Sequence, residues 1–318
     1  MNIVVQGSLA FDRIMDFPDQ FAKHILPDHI HQLSVSFFIE ELTEKRGGTA
    51  GNIAYNLMLL GEARQVELFG AVGKDFEEYM QHLNTHHLST QYISVDHSQP
   101  TASAYAITDE KNNQIWAFHL GAEKNSSKPF DWSTLNGDDA IVISAPRNNK
   151  IDVMTAAAEC KARGIRFLFD PGQTIPIFTG EELKKIITGS YMFISNDYEL
   201  QLIVDKTGWS KKELQKKVDV HISTLGENGS TIVTNDDTID VPSCVVSVVK
   251  DPTGAGDAYR AGLIKGLIQG VSLEQAGKMG SLCATYAIEQ YGTQEHTFTI
   301  KEFAQRYFDN FTEECPIG

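Results

Sequence analysis

Between residues 141 and 204, short apolar runs alternate three times with helical patterns. The run at 141–144 precedes a helical pattern at 154–163, 166–170 precedes 181–188, and 191–195 precedes 197–204. Strands this short and this evenly apolar, each followed by a helix, belong to a parallel sheet covered on both faces. From Val220 the pattern changes to short strands at 221–224, 231–234 and 245–249, followed by three closing helices after Gly256. A chain of 318 residues can bury one large α/β core with a smaller appendage. No repeat, low-complexity tract or linker interrupts it, so 1–318 reads as one domain with the lesser element inserted. We assign that element to about 15–43, which contains the extended-looking Leu33-Ser34-Val35-Ser36-Phe37-Phe38-Ile39, and to about 101–120. In the second stretch, strands at 101–108 and 115–120 flank the polar turn Glu110-Lys111-Asn112-Asn113-Gln114 and read as a hairpin. The expected fold is α/β, a mostly parallel sheet flanked by helices on both faces, with a small β lid that excludes water from a site.

The chemistry concentrates in Asp251-Pro252-Thr253-Gly254-Ala255-Gly256-Asp257, followed by Ala258-Tyr259-Arg260-Ala261-Gly262. The β-branched run 245–249 leads into it, and a small-residue helical stretch leaves it and ends near Gly270. Small residues let backbone N–H groups approach a ligand, and the helix start adds about half a positive charge. Together they make an anion site suited to phosphate. Asp257 at the helix start serves equally as an N-cap. A carboxylate beside a phosphate cradle makes chemical sense where it accepts a proton, so acid plus anion hole points to phosphoryl transfer. No Gly-Lys-Ser/Thr follows the glycines and the G-x-G-x-x-G spacing is missing, which excludes a Walker loop and a dinucleotide fingerprint.

Three further segments accompany the loop. Arg46-Gly47-Gly48-Thr49-Ala50-Gly51-Asn52 precedes the helical pattern Ile53, Ala54, Leu57, Met58, Gly61. There Gly47 and Gly48 admit close backbone approach, and Asn52 offers donor and acceptor. Gly7-Ser8-Leu9-Ala10-Phe11-Asp12 follows the strand Ile3-Val4-Val5, placing Asp12 beyond the carboxyl end of a strand, where open α/β sheets bind ligands. Its paired oxygens suit two vicinal hydroxyls, although the position also fits a surface loop. Asn196-Asp197-Tyr198-Glu199 starts a helix and reads as a capping box, a role compatible with facing a nucleotide. In Phe69-Gly70-Ala71-Val72-Gly73-Lys74-Asp75, Asp75 reads as a helix cap.

A formal net charge of −15, without a basic stripe, argues against nucleic acid as a partner. The N-terminal apolar run is three residues long and enters a strand, so we expect no signal peptide, no membrane span and a cytoplasmic protein. Cys160, Cys244, Cys283 and Cys315 are scattered without metal spacing and read as reduced thiols. The ten histidines contain no H-E-x-x-H, and His86-His87 reads as a helix end. Val35, Phe37, Phe38 and Ile39 are too apolar for a lone flap, and we expect a homodimer joined through the lid.

The run D-P-T-G-A-G-D-A-x-x-A-G resembles the C-terminal signature of the PfkB/ribokinase family of carbohydrate and nucleoside kinases. The Gly47-Gly48 loop with Asn52 resembles its N-terminal signature, and Phe69–Asp75 its G-x-x-G-x-D segment. Over essentially the whole chain the likeness is to bacterial adenosine kinases of ribokinase type. It is carried also by Leu26-Pro27-Asp28-His29-Ile30-His31, Ser34-Val35-Ser36-Phe37 and Gly292-Thr293-Gln294-Glu295. The resemblance implies a ribokinase-like fold and transfer of the γ-phosphoryl of ATP to the 5′-hydroxyl of adenosine, in purine salvage. It implies substrate contacts at Ser8, Asp12, Ser36, Gly48, Asn52, Phe118 and Gln173. ATP contacts would fall at Asn196, Thr224, Gly226 and Gly229, with Mg2+ near Glu199 through water. Gly254, Ala255 and Gly256 would form the anion hole and Asp257 the base. A sugar kinase acting on ribose or fructose, and a non-catalytic nucleoside-binding regulator, are the alternatives.

Overall fold

A computed structural model describes residues 1–25, 34–111, 113–125 and 127–317. Its first half runs β1 (Asn2–Gln6), β2 (Ala10–Asp16), α1 (Phe21–His24), β3 (Glu41–Gly47), α2 (Thr49–Leu59), β4 (Val66–Gly73), α3 (Glu77–Thr85), β5 (Ser89–Asp96), β6 (Ala102–Thr108) and β7 (Gln114–His119). Then come β8 (Ala140–Ser144), α4 (Lys150–Arg163), β9 (Arg166–Phe169), α5 (Gly180–Thr188), β10 (Met192–Asn196), α6 (Asp197–Thr207) and α7 (Lys211–Gln215). The chain closes with β11 (Val220–Thr224), β12 (Ser230–Thr234), β13 (Thr238–Val241), α8 (Ala255–Gln269), α9 (Leu273–Ile288) and α10 (Ile300–Phe311).

Nine strands form one sheet in the order β13-β12-β11-β10-β9-β8-β1-β4-β5, parallel from β5 to β11 and antiparallel beyond. The alternation of side chains explains why both faces are covered. Ile3, Val5, Ile141 and Ile143 pack with α2 and α8 residues on one face, whereas Val4, Val142 and Phe167 pack with α4 and α5 residues on the other. The three βα units expected between 141 and 204 are β8–α4, β9–α5 and β10–α6. Among the described residues no helix is long and apolar enough to cross a membrane.

A second sheet has the order β3-β2-β6-β7. The hairpin read between 101 and 120 is β6 and β7, in register from Ser103↔His119 to Thr108↔Gln114. β2, one of the sheet's two interior strands, does not show in the sequence pattern because it carries Asp12, Arg13 and Asp16 among its apolar residues. Of these charges Arg13 is matched across the sheet, its Nε donating to Glu44 Oε2 at 2.8 Å. Asp12 is therefore a strand residue, not a loop residue.

Other expectations need correction. Residues 34–39 form no strand: Phe37 packs on Phe17 and Phe21, and Phe38 stays 85% exposed. Leu26 to Leu33 and Asn112 lie outside the described residues. The run 245–249 is not a strand either, since Val245, Val248 and Val249 are exposed and the sheet already ends at β13. Side chains hold it instead of a ladder, Asn310 Oδ1 accepting from Val245 N and Glu289 Oε1 from Ser247 N. Asp75 does not cap α3; its Oδ1 accepts from Thr101 N at 2.7 Å and ties the loop after β4 to the start of β6. Cys244, Cys283 and Cys315, far apart in sequence, meet in the core between α9 and α10.

Candidate active site

The carboxyl ends of β1, β8 and β9, the starts of α2 and α8, and the second sheet enclose a cavity of about 690 Å³. Ser8, Asp12 and Phe118 line it from the strands and their connections. Gly48, Asn52, Gly254, Gly256 and Asp257 line it from the two helix starts, and Gln173 from the turn after β9. The fold thus gathers residues that lie up to 249 positions apart (Ser8 and Asp257).

Both helix starts have glycine as N-cap. Gly48 holds φ at 86°, and a Cβ there would stand 2.6 Å from the backbone of Ser8 and Ala10. Gly254 holds φ at 79° with Thr293 packed against it. These left-handed positions exclude side chains, so the backbone itself faces the cavity. Gly48 also starts α2 at Thr49, earlier than the pattern from Ile53 suggests, and puts Asn52 inside the helix.

Asp257 is buried, and its carboxylate is fixed on both oxygens. Arg260 NH1 donates to Oδ1 at 2.7 Å, one helical turn on, and Asn52 Nδ2 donates to Oδ2 at 2.8 Å. Arg260 in turn donates from Nε to Asp170 Oδ2 at 2.5 Å, from the end of β9. Burial pushes the Asp257 carboxyl up to about 6, against the pull of Arg260 and Asn52. That value suits a group that takes a proton near neutral pH. Asn52 Oδ1 accepts from Thr293 Oγ1 (2.8 Å) and Gln294 Nε2 (3.0 Å), so its amide is largely spent inside the protein. It orients the acid more directly than it offers itself to a ligand.

Asp12 projects against Gly47, where a Cβ would come within 2.3 Å of Oδ2. Burial, then the charges of Asp251 and Asp257, push its carboxyl up to about 7. Unlike Asp257 it accepts no hydrogen bond among the described residues, and a pair of ligand hydroxyls would satisfy it. Ser8 is already committed: its Oγ accepts from Thr49 N at 3.0 Å and lies 3.2 Å from Thr49 Oγ1, capping α2 from outside the helix. Phe118 is 70% exposed and stacks on Trp116, with 5.9 Å between ring centres.

The remaining residues lie elsewhere. Ala255 is the first residue of α8, next to the cavity but not among its lining. Ser36 is exposed and not among the residues lining the cavity. Asn196 and Thr224 are partners in register at the carboxyl ends of β10 and β11, and Gly226 and Gly229 form the turn into β12. They occupy the same sheet edge, beyond β9 from the cavity. Asn196 and Glu199 form the capping box, with reciprocal bonds of 2.8 Å. Glu199 is pushed up by burial and by Asp170, whose Oδ1 is buried and without a partner among the described residues. No group of three metal-binding side chains stands ready among the described residues. The unpartnered Asp170 Oδ1, close enough to Glu199 to push its carboxyl up, fits a magnesium ion that keeps its waters.

Sequence reasoning missed Arg260 and Asp170. Arg260 lies three residues after Asp257, and that helical spacing was the available signal; Asp170 had none.

Residues 22–299 match the family described as pfkB family carbohydrate kinase. The nucleoside kinase of Methanocaldococcus jannaschii is 32% identical over 82% of this chain and 84% of its own length. The Burkholderia thailandensis nucleoside kinase in complex with inosine superposes with a TM-score of 0.84 at 35% identity, covering 98% of this chain and 99% of the other. The same enzyme in complex with ADP and inosine gives 0.82 at 36% identity, covering 98% and 97%. The glycine-capped start of α8 with its buried acid thus stands in a frame shared over nearly its whole length, and the chain belongs to the PfkB family of carbohydrate kinases, phosphotransferases of ribokinase-like fold.

Proposed function

We propose that this enzyme transfers the γ-phosphoryl of ATP, with Mg2+, to the 5′-hydroxyl of a purine nucleoside, adenosine being the first to test. One observation carries the reading: a single cavity has the anion-binding helix start and the acid, Asp257, in one part of its wall, and an unsatisfied hydroxyl-type acceptor, Asp12, with an exposed aromatic, Phe118, in others. At about 690 Å³ it lies in the range of whole-ligand pockets and leaves room beyond a pentose. The relative that binds inosine supports the same reading.

In this mechanism Asp12 accepts hydrogen bonds from two ribose hydroxyls and fixes the sugar. Asp257 takes the proton of the 5′-hydroxyl as the oxygen attacks the γ-phosphorus in line, and the bond from that phosphorus to the bridging oxygen breaks, leaving ADP. Arg260 and Asn52 hold the carboxylate for that transfer. Backbone N–H groups at the start of α8, between Gly254 and Gly256, stabilise charge on the transferring group. Magnesium, when bound, neutralises phosphate oxygens, and Glu199 with Asp170 would hold it through water. Asn196, Thr224, Gly226 and Gly229 face the nucleotide along the sheet edge.

Release of ADP measured with adenosine, inosine, cytidine, ribose and fructose tests the assignment. Equal efficiency with ribose or fructose would replace it by a sugar kinase, and no turnover with any acceptor would favour the regulator. We also propose a homodimer through the second sheet. Phe38, 85% exposed just before β3, and Leu42, 66% exposed within it, are what a second copy would cover.

A further inference from the structure

The cavity wall contains a second acid that the mechanism does not use. Glu123 lies in the single 3-10 turn Gly121–Lys124 that follows β7, and it is 3% exposed. It lines the cavity together with Phe118 and Leu120, which precede it, and with Asn148, beyond the end of β8. Among the described residues its donors all come from Asn148. Asn148 N donates to Oε1 at 2.9 Å, and Asn148 Nδ2 reaches Oε2 at 3.1 Å and Oε1 at 3.4 Å. No cation pairs with Glu123 among the described residues. Arg147, its neighbour along the chain to Asn148, turns its guanidinium to Asp152 Oδ2 at 2.8 Å and to backbone carbonyls of Asn125, Gly7 and Phe69.

A buried carboxylate is costly where the cation whose charge favours it, here Arg147, makes its hydrogen bonds elsewhere, and an ionised carboxylate only accepts, with room for about four donors. Holding Asn148 N and Nδ2 takes about one acceptor site on each carboxylate oxygen and leaves the others open. The excess accepting capacity of Glu123 at a cavity wall calls for donors from a ligand. Asn148 reinforces this demand: its Nδ2 faces Glu123, which leaves its own oxygen as a further acceptor. This part of the wall is therefore polarised to accept.

Resting on the nucleoside-kinase reading, we propose that Glu123, held by Asn148, determines base specificity by accepting an N–H from the edge of the nucleobase. The 6-amino group of adenosine and the N1–H of a 6-oxopurine both qualify. A base whose edge offers only acceptors is disfavoured.

Purine riboside has the ribose and ring system of adenosine without an N–H on that edge, and so isolates the contact. Dissociation constants for adenosine, inosine and purine riboside are measured calorimetrically without ATP, and kcat/KM with it, for the wild type and for Glu123→Gln. A hydrogen bond to a charged group predicts that the wild type prefers adenosine to purine riboside by about tenfold to a hundredfold. In Glu123→Gln, which turns an N–H toward the base, that ratio falls to within roughly threefold, while values for purine riboside itself move little. An unchanged ratio in the variant overturns the proposal, as does an equal loss for all three nucleosides, the mark of a residue that only supports the Asn148 loop. Should thermal melting show that the variant does not fold, the wild-type ratio decides, and a value below about threefold overturns the proposal. A wild type that phosphorylates ribose and no nucleoside refutes the underlying reading instead, and does so before any variant is compared.

Discussion

Replacing Arg260 by glutamine tests whether the acid at the start of α8 is tuned to act as a base. The guanidinium stands between two buried carboxylates, 2.7 Å from Asp257 Oδ1 and 2.5 Å from Asp170 Oδ2. Burial pushes Asp257 up to about 6, and Arg260 is the largest influence opposing that rise. Removing an opposite charge at this range raises a carboxyl by about 1–3 pH units, which puts Asp257 between ~7 and ~9 in the variant. Only the deprotonated form can take a proton, so the acidic limb of kcat moves to higher pH. A base of pKa about 6 is roughly nine-tenths active at pH ~7, and one of pKa ~8 only about one-tenth. Turnover near neutral pH therefore drops about tenfold and returns as the pH approaches ~9. Asp12, pushed up to about 7 by burial and then by Asp251 and Asp257, titrates in the same window. As a group that binds the sugar, it registers in kcat/KM, whereas kcat reports the bound complex. Breaking a buried pair also costs about 3–5 kcal/mol of stability, so the profile is recorded well below the melting temperature of the variant. A limb that stays near pH ~6 while the whole profile drops by a constant factor refutes the tuning argument.

Asp257→Asn removes the proton acceptor and lowers turnover by ~10² to 10⁴, with ADP affinity by calorimetry nearly unchanged; residual turnover above about a tenth of wild type would show that Asp257 is only a cap. Phe118→Ala removes a stacking surface worth roughly 1–3 kcal/mol per base, so kcat/KM for adenosine falls about tenfold to a hundredfold. Any turnover of free ribose is spared, and an equal loss for both would place Phe118 outside the base contact. Light scattering at micromolar concentration reports twice the monomer mass of 35.3 kDa for the wild type and the monomer for Phe38→Glu; a monomeric wild type rules out the lid dimer.

The frame of the large sheet was legible because its strands are buried on both faces and must be uniformly apolar. Ile141 to Ile143 are fully buried, and no other environment tolerates such a run in a helix-alternating chain. The second sheet obeys a different rule. Its strands β2 and β3 are partly exposed, so pairs such as Arg13 with Glu44 replace apolar alternation, and nothing in the local pattern distinguishes them from loop. The opposite error arose at 245–249, where β-branched residues suggested a strand. There the backbone pairs with no strand among the described residues and donates instead to the side chains of Asn310 and Glu289. At the candidate site, spacing pointed to Asp257 and the glycines, which the fold brings to one cavity. Arg260 lies one turn on from Asp257 in the same helix, but Asn52 comes from α2 and Asp170, which holds Arg260, from the end of β9, contacts that only the tertiary fold creates.

Local capping then separates two helix starts that look alike in sequence. Gly48 and Gly254 both hold left-handed φ, and both line the cavity. Elsewhere α5, α6, α9 and α10 begin with full capping boxes, so the chain can cap its helices where nothing else is required. At α2 the free N–H groups are met from within the protein, Thr49 N by Ser8 Oγ at 3.0 Å and Ala50 N by Ser8 O at 2.9 Å. That glycine start is a closed scaffold, which fixes Asn52 and through it the acid. At α8 no side chain caps the helix, and Ala255 N reaches Pro252 O only at 3.4 Å. Uncapped donors at a helix start favour a negative charge brought from outside. Of the two glycine turns, the one before Asp257 is therefore the one with donors to spare, as the proposed phosphoryl transfer requires, and Asp257 lies on the same helix as those donors.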